Sequence, residues 1–213
     1  MKLFTVPMTC FAANCYVLVT EKNNGILIDP GAQGDKICAA LKANEVNPVA
    51  ILLTHAHFDH VGAVKTLQQE YPGITVYLCP KDIATITDTV ERRALQWGLI
   101  DPQQYHIIPD KELNEGDIIE IDDLSFSVLE TPGHTMGSVC MACGDYLFTG
   151  DTLFLHDYGR TDLFGGSPEQ MLDSLAKLGG ISCNYLVMPG HEESTTLDNE
   201  REFIKGVLQE YGR

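Results

Sequence analysis

The sequence has no apolar run near the ~20 residues that a membrane-crossing helix needs. Its first ten residues, MKLFTVPMTC, lack the long apolar stretch of a secretory leader. No membrane association is therefore expected, and a cytoplasmic location is. Basic residues are scarce: 14 Lys and Arg stand against 30 Asp and Glu, a net charge of −16, and they form no cluster. Nucleic-acid binders draw affinity from a cationic groove that releases counterions, so that class of partner is excluded. A disulfide framework is missing too. Cys10, Cys15, Cys38, Cys79, Cys140, Cys143 and Cys183 are scattered and odd in number, which suits thiols in a reducing compartment. Cys140 and Cys143 form a CxxC, but no second CxxC completes a structural zinc site. Within the strand-like SVCMACG their side chains point to opposite faces, so they are read as ordinary buried or edge thiols. No linker, repeat or low-complexity segment interrupts the chain. With 44% hydrophobic residues among 213, residues 1–213 are read as one domain with a sizeable core.

What is present begins with short β-type runs: LFTV, CYVLV at 15–19 and GILID at 25–29, set apart by the turn residues of NNG and DPG. Residues 34–44 carry a helical pattern with Ile37 and Leu41 on one face. Val49–Leu53 is a continuous apolar run of strand length, expected to be buried on both sides. A helix is predicted through 61–70, a strand at 74–78, and a more helical stretch at 80–110 that contains the single tryptophan, Trp97. Strands follow in IIEI, LSFSVLE, MGSVCMA and DYLFT. Helices at about 168–178 and 197–209 flank a last strand, NYLVM. Strands in blocks with helices between them suggest two packed sheets with helices outside.

Five of the seven histidines sit directly after strands. The decisive stretch is Thr54-His55-Ala56-His57-Phe58-Asp59-His60, at the end of the buried apolar run. His55 and His57 are two apart, so an extended chain sends both imidazoles to one side. Asp59 and His60 continue where the chain turns into the next helix. His134 follows LSFSVLE within Thr-Pro-Gly-His-Thr, Asp151 follows DYLFT within Thr-Gly-Asp-Thr, and His191 follows NYLVM within Pro-Gly-His. Any one of these residues alone reads as a loop side chain or a capping donor. Three histidines and an aspartate within six residues are costly to bury unpaired and read as a metal nest. Imidazole and carboxylate donors suit zinc, iron or manganese.

The segments HAHFDH, PGHT, TGD and PGH, in that order, resemble the metallo-β-lactamase fold superfamily. The stretch GDTLFLHDYGRTDL and the upstream LNEGD make the chain similar to the glyoxalase II-like (hydroxyacylglutathione hydrolase-like) branch. The resemblance covers nearly the whole chain. It implies an α/β architecture, an αββα four-layer sandwich with the site along one edge of the two sheets. It also implies two divalent metal ions: His55, His57 and His134 around one, Asp59, His60 and His191 around the other, and Asp151 shared. The implied chemistry is hydrolysis of small acyl thioesters by a metal-activated hydroxide, which Asp59 orients as the catalytic residue. The partner is then a small-molecule substrate.

The chain also departs from glyoxalase II proper. About 22 residues follow His191, where glyoxalase II carries a helical glutathione-binding segment, and Glu192 and Glu193 stand where relatives commonly have a glycine. Two alternatives follow from the same motifs. One is a persulfide dioxygenase-like enzyme holding a single iron through His55 or His57, His134 and Asp151. The other is a non-catalytic binding module that kept the fold; the complete ligand set weighs against it. His106 reads as a surface or loop residue, Arg160 and Asp162 as a supporting pair, and His156 as a candidate for the pocket rim.

Overall fold

A strand that is apolar at every position needs cover on both faces, and one that alternates needs it on one. The computed structural model, which describes residues 2–8, 13–88 and 105–212, meets both needs with four layers. One six-stranded sheet has the order β1 (Lys2–Val6), β2 (Cys15–Val19), β3 (Asn24–Ile28), β4 (Asn47–Leu52), β5 (Thr75–Leu78), β6 (Lys111–Glu112). The other is formed by β7 (Ile118–Ile121), β8 (Leu124–Glu130), β9 (Val139–Cys143), β10 (Tyr146–Gly150), β13 (Leu186–Pro189) and β14 (Thr195–Thr196), in the order β14-β13-β10-β9-β8-β7. A small hairpin, β11 (Leu153–Phe154) with β12 (Asp157–Tyr158), stands apart.

The alternation along β2 sorts side chains into two cores. Cys15, Val17 and Val19 face outward onto α1 (Gly34–Ala43) and α3 (Val64–Glu70), meeting Ile37, Leu41, Val64 and Leu67. Tyr16 and Leu18 face inward and pack, with Ile26, Ile28 and Leu52, against Phe126, Val128, Met141 and Phe148 of the second sheet. The outer face of that sheet packs Leu147 and Val187 on Met171, Leu175, Leu178 and Ile204 of α5 (Pro168–Gly179) and α6 (Leu197–Glu210). This is the αββα sandwich expected from the sequence. Cys140 joins the outer core and Cys143 the inner one, on opposite faces as the strand reading requires. The six described cysteines form no disulfide; Cys10 and Trp97 lie outside the described residues.

The expected helix over 61–70 is two helices, α2 (Phe58–Val61) and α3. The Ala63 N–H donates to Pro30 O (2.9 Å) outside the helix, which interrupts the ladder and lets the histidine segment enter α2 at once. Of the helical stretch expected at 80–110, the structure describes a 3₁₀ turn at Pro80–Asp82 and α4 (Ile83–Asp88), while 106–110 are not helical; 89–104 lie outside the described residues. The pairs at 111–112, 153–154, 157–158 and 195–196 are too short for periodicity to reveal. Among the described residues no helix is long and apolar enough to cross a membrane.

Candidate metal centre

Strand direction assembles the site. β3 and β4 are parallel, β10 and β13 are parallel, and β8 runs with β10 because both are antiparallel to β9. The chain therefore leaves β3, β4, β8, β10 and β13 in functional loops, and the sheets are tied there: Val139 N–H donates to Thr54 O (2.9 Å) and Asn14 N–H to Gly190 O (2.6 Å). Gly190 has no room for a side chain, since a Cβ would lie 2.3 Å from Asp151 Oδ1 and 2.7 Å from His60 Cε1.

All seven residues singled out from the sequence converge. His55, His57 and His134 form one group and Asp59, His60 and His191 a second, each with its ligating atoms within 4.8 Å of one another. Asp151 faces both. Its Oδ2 is 3.3 Å from His134 Nε2 and 3.7 Å from His191 Nε2, and its Oδ1 is 3.3 Å from His60 Nε2. The first group is buried; the second opens outward, with the His191 side chain 31% exposed and Asp59 17%.

Hydrogen bonds on the far side of each ring aim the near side. His134 Nδ1 lies 2.7 Å from Arg160 O, which can only accept, so Nδ1 carries the proton and Nε2 presents a lone pair. His60 Nδ1 lies 2.9 Å from Asp29 Oδ2, which leaves Nε2 toward Asp151. In the first group His57 Nδ1 is 3.1 Å from His55 Nε2 and 2.8 Å from His134 Nε2. One shared proton cannot satisfy both contacts, so lone pairs face each other across the group. His60 Nε2 and Asp151 Oδ1 are buried without any hydrogen-bond partner. Lone pairs converging in the first group and buried polar atoms left without a partner are what a divalent cation relieves, and the donor set fits one.

Electrostatics separates the two groups. Burial, reinforced by the surrounding histidines, holds His55 well below the ordinary imidazole range, and burial with His134 brings His57 down to about 3. Both are thus in the neutral, ligating form. Burial also opposes the charge on His60, but Asp151 and Asp29 outweigh it and raise its pKa well above the usual value. His191 is raised likewise by Asp59 and Asp151 against its burial. Burial pushes both carboxyls up. For Asp151 the neighbouring histidines, His60 foremost, reverse the shift, and for Asp59 a hydrogen bond from His191 and the charge of His60 do so. The carboxylates of Asp29, Asp59 and Asp151 thus favour positive charge at His60 and His191.

The sequence reading missed the residues behind the cluster. Asp29 accepts Thr54 N–H (2.8 Å) as well as bonding His60; it is buried, with a left-handed φ of 49°. Its signal was a carboxylate closing the apolar GILID. Asn14 Nδ2 donates to Pro189 O (3.1 Å) and Glu192 O (3.0 Å), and Tyr16 Oη donates to Pro189 O (2.7 Å), fixing the His191 loop. Asp82 is wholly buried behind the first group. Other readings resolve simply. His106 is exposed in a loop. Arg160 pairs bidentately with Asp162 (2.7 Å twice), and its carbonyl, not its guanidinium, touches the site. His156 turns toward α6, its Nδ1 3.2 Å from Glu200 Oε2.

A model of the metallo-β-lactamase superfamily matches residues 8–191. A hydroxyacylglutathione hydrolase, GloC, of Haemophilus influenzae is 31% identical over 205 residues, covering 94% of this chain and 95% of that protein. BLEG-1, a solved structure described as a B3 metallo-β-lactamase, is 33% identical with a TM-score of 0.85, covering 94% of this chain and 97% of that one. TTHA1623, solved in a di-iron-bound form, is 37% identical with a TM-score of 0.81, covering 92% and 96%.

Proposed function

Because this chain belongs to the metallo-β-lactamase superfamily, a family of generally metal-dependent hydrolases, we propose that it cleaves small acyl thioesters at a two-metal centre. The observation that carries the reading is Asp151, whose two oxygens face both ligand groups across orphaned buried atoms. His55, His57 and His134 hold one cation in this reading, Asp59, His60 and His191 the other, and Asp151 is shared. Zinc suits these donors, as do iron and manganese; the relative solved with two irons supports a pair of ions. Such ions supply Lewis acidity, making hydroxide available near neutral pH and polarising a carbonyl.

The protein's own groups do the rest. Asp59 lies at the open side of the site, its Oδ2 3.2 Å from His191 Nε2, and in this reading orients the attacking hydroxide. Arg160 O and Asp29 keep the rings of His134 and His60 from rotating, so the site is preorganised. Hydrolysis forms the acyl C–O bond, breaks C–S and returns the proton to the medium. A thiolate, with a thiol pKa of about 8.5, leaves without a dedicated acid, which suits a site built from ligands alone. The relative named hydroxyacylglutathione hydrolase, matched over nearly its full length, points to hydroxyacyl thioesters.

Selectivity for the thiol carrier is weak in this reading. The net charge of −16 disfavours an anionic carrier, and Arg160 is already engaged by Asp162. The test compares kcat/KM for hydroxyacyl thioesters of glutathione and of short neutral thiols bearing one acyl group. Similar values are expected. A preference for glutathione of about a hundredfold, ~2.7 kcal/mol, overturns the open-pocket reading. Oxygen uptake with a persulfide and no thioester turnover replaces the hydrolase reading altogether.

A further inference from the structure

Asp82 lies just past β5, in a turn that carries none of the proposed ligands, yet it is wholly buried. Its Oδ2 accepts Ala56 N–H at 2.7 Å, and Ala56 is the residue between His55 and His57. Its Oδ1 accepts Gly137 N–H at 3.0 Å, three residues beyond His134, and the Thr85 hydroxyl at 3.0 Å. The turn around His134 is also closed on itself, by Gly133 N–H to Thr135 O (3.0 Å) and Thr135 N–H to Ser138 Oγ (3.1 Å). Pulling on Gly137 therefore moves His134. The fit at Gly137 is tight as well: a Cβ there would lie 2.8 Å from Asp82 Cβ and 3.0 Å from its Cγ.

We propose that Asp82 is a positioning residue for the His55–His57–His134 group, one carboxylate bridging the two backbone segments that carry those three rings. It touches neither substrate nor cation. The second group hangs from other anchors, Asp29 under His60 and Asn14 with Tyr16 under the His191 loop. Loss of Asp82 is thus selective. Asparagine keeps one acceptor and turns an NH₂ toward Ala56 N–H or Gly137 N–H, freeing one segment from the other. Groups that orient ligands from behind are typically worth about 10–100-fold in metal affinity.

The inference rests on the metal-centre reading, and its test separates the two. Co(II) affinity is measured, with thermal unfolding alongside, in two backgrounds: His191→Ala, where only the first group is complete, and His57→Ala, where only the second is. Asp82→Asn is expected to weaken Co(II) binding about 10–100-fold in the first background and less than about threefold in the second. Gly137→Ala, which displaces Asp82 from the other side, is expected to repeat that pattern even if Asp82→Asn folds poorly. Thr85→Val, which removes a donor without releasing either segment, is expected to leave Co(II) affinity unchanged. Equal losses in both backgrounds, no loss in the first, or a Thr85→Val effect as large as that of Asp82→Asn overturns the positioning role. Failure of the parent chain to bind Co(II) overturns the metal centre itself.

Discussion

Asp29 and His60 show what a single residue contributes here. Asp29 bonds His60 directly and reaches His55 only through Thr54, so Asp29→Asn is expected to weaken binding at the Asp59–His60–His191 group about 10–100-fold and at the first group less, as chelator competition on each group would read. Equal weakening of both groups contradicts that division. The protonation pattern gives a second prediction, for the metal-free protein. His55 and His57 have folded pKa values below those of the unfolded chain. As pH falls through about 6.5 the unfolded chain takes up protons first, so Tm is expected to decline between about pH 6.5 and 4.5. His60 and His191, raised in the fold, act oppositely: their contribution is complete below about pH 6.5 and is lost as pH climbs through their folded values. A Tm constant across the acid window contradicts neutral imidazoles in the first group. The seven residues that the structure brings together were all singled out in the sequence, because histidines and carboxylates placed after strands leave a local signature. Asp82 and Asn14 were not, since each acts on a residue 26 or 175 positions away and looks like an ordinary polar residue beforehand; Asp29, acting 31 positions away, left only the hint of a carboxylate closing an apolar run.

At the level of elements, the long strands and amphipathic helices were readable from hydrophobic period. The two-residue pairs were not, because two residues carry no period. The break between α2 and α3 was hidden too: Ala63 bonds Pro30, a tertiary contact that helix propensity does not encode. The loop after β13 is the element most open to test. Asn14 holds it from the neighbouring sheet at two carbonyls, so Asn14→Ala is expected to lower affinity at the second group with little change at the first. A change confined to the first group contradicts the assignment. Glu192, in the same loop, has a φ of 67°, a conformation that costs an L side chain about 1–2 kcal/mol. Glu192→Gly is expected to raise stability by about 1 kcal/mol in chemical denaturation, provided the fold keeps its φ; a loss of stability contradicts the strain.

For the whole molecule, two sheets bury one face against each other and the other beneath helices, and this explains why β2 and β4 are apolar almost throughout. The loops that follow five of those strands then meet along one edge, where residues from 29 to 191 become neighbours. The layer architecture was legible from strand and helix blocks with the motif resemblance. The order of strands within each sheet was not, since parallel pairing of β10 with β13 joins segments that α5 separates in the chain. The central claim is that two cations sharing Asp151 form the working centre. It is tested most directly by titrating metal-free protein with Zn(II) while recording thioester hydrolysis and bound metal together. Activity is expected to rise to its plateau only as the second equivalent binds, and Asp151→Asn to fold but lose at least one equivalent and nearly all turnover. Full activity at one equivalent, or normal turnover and occupancy in Asp151→Asn, would contradict the account.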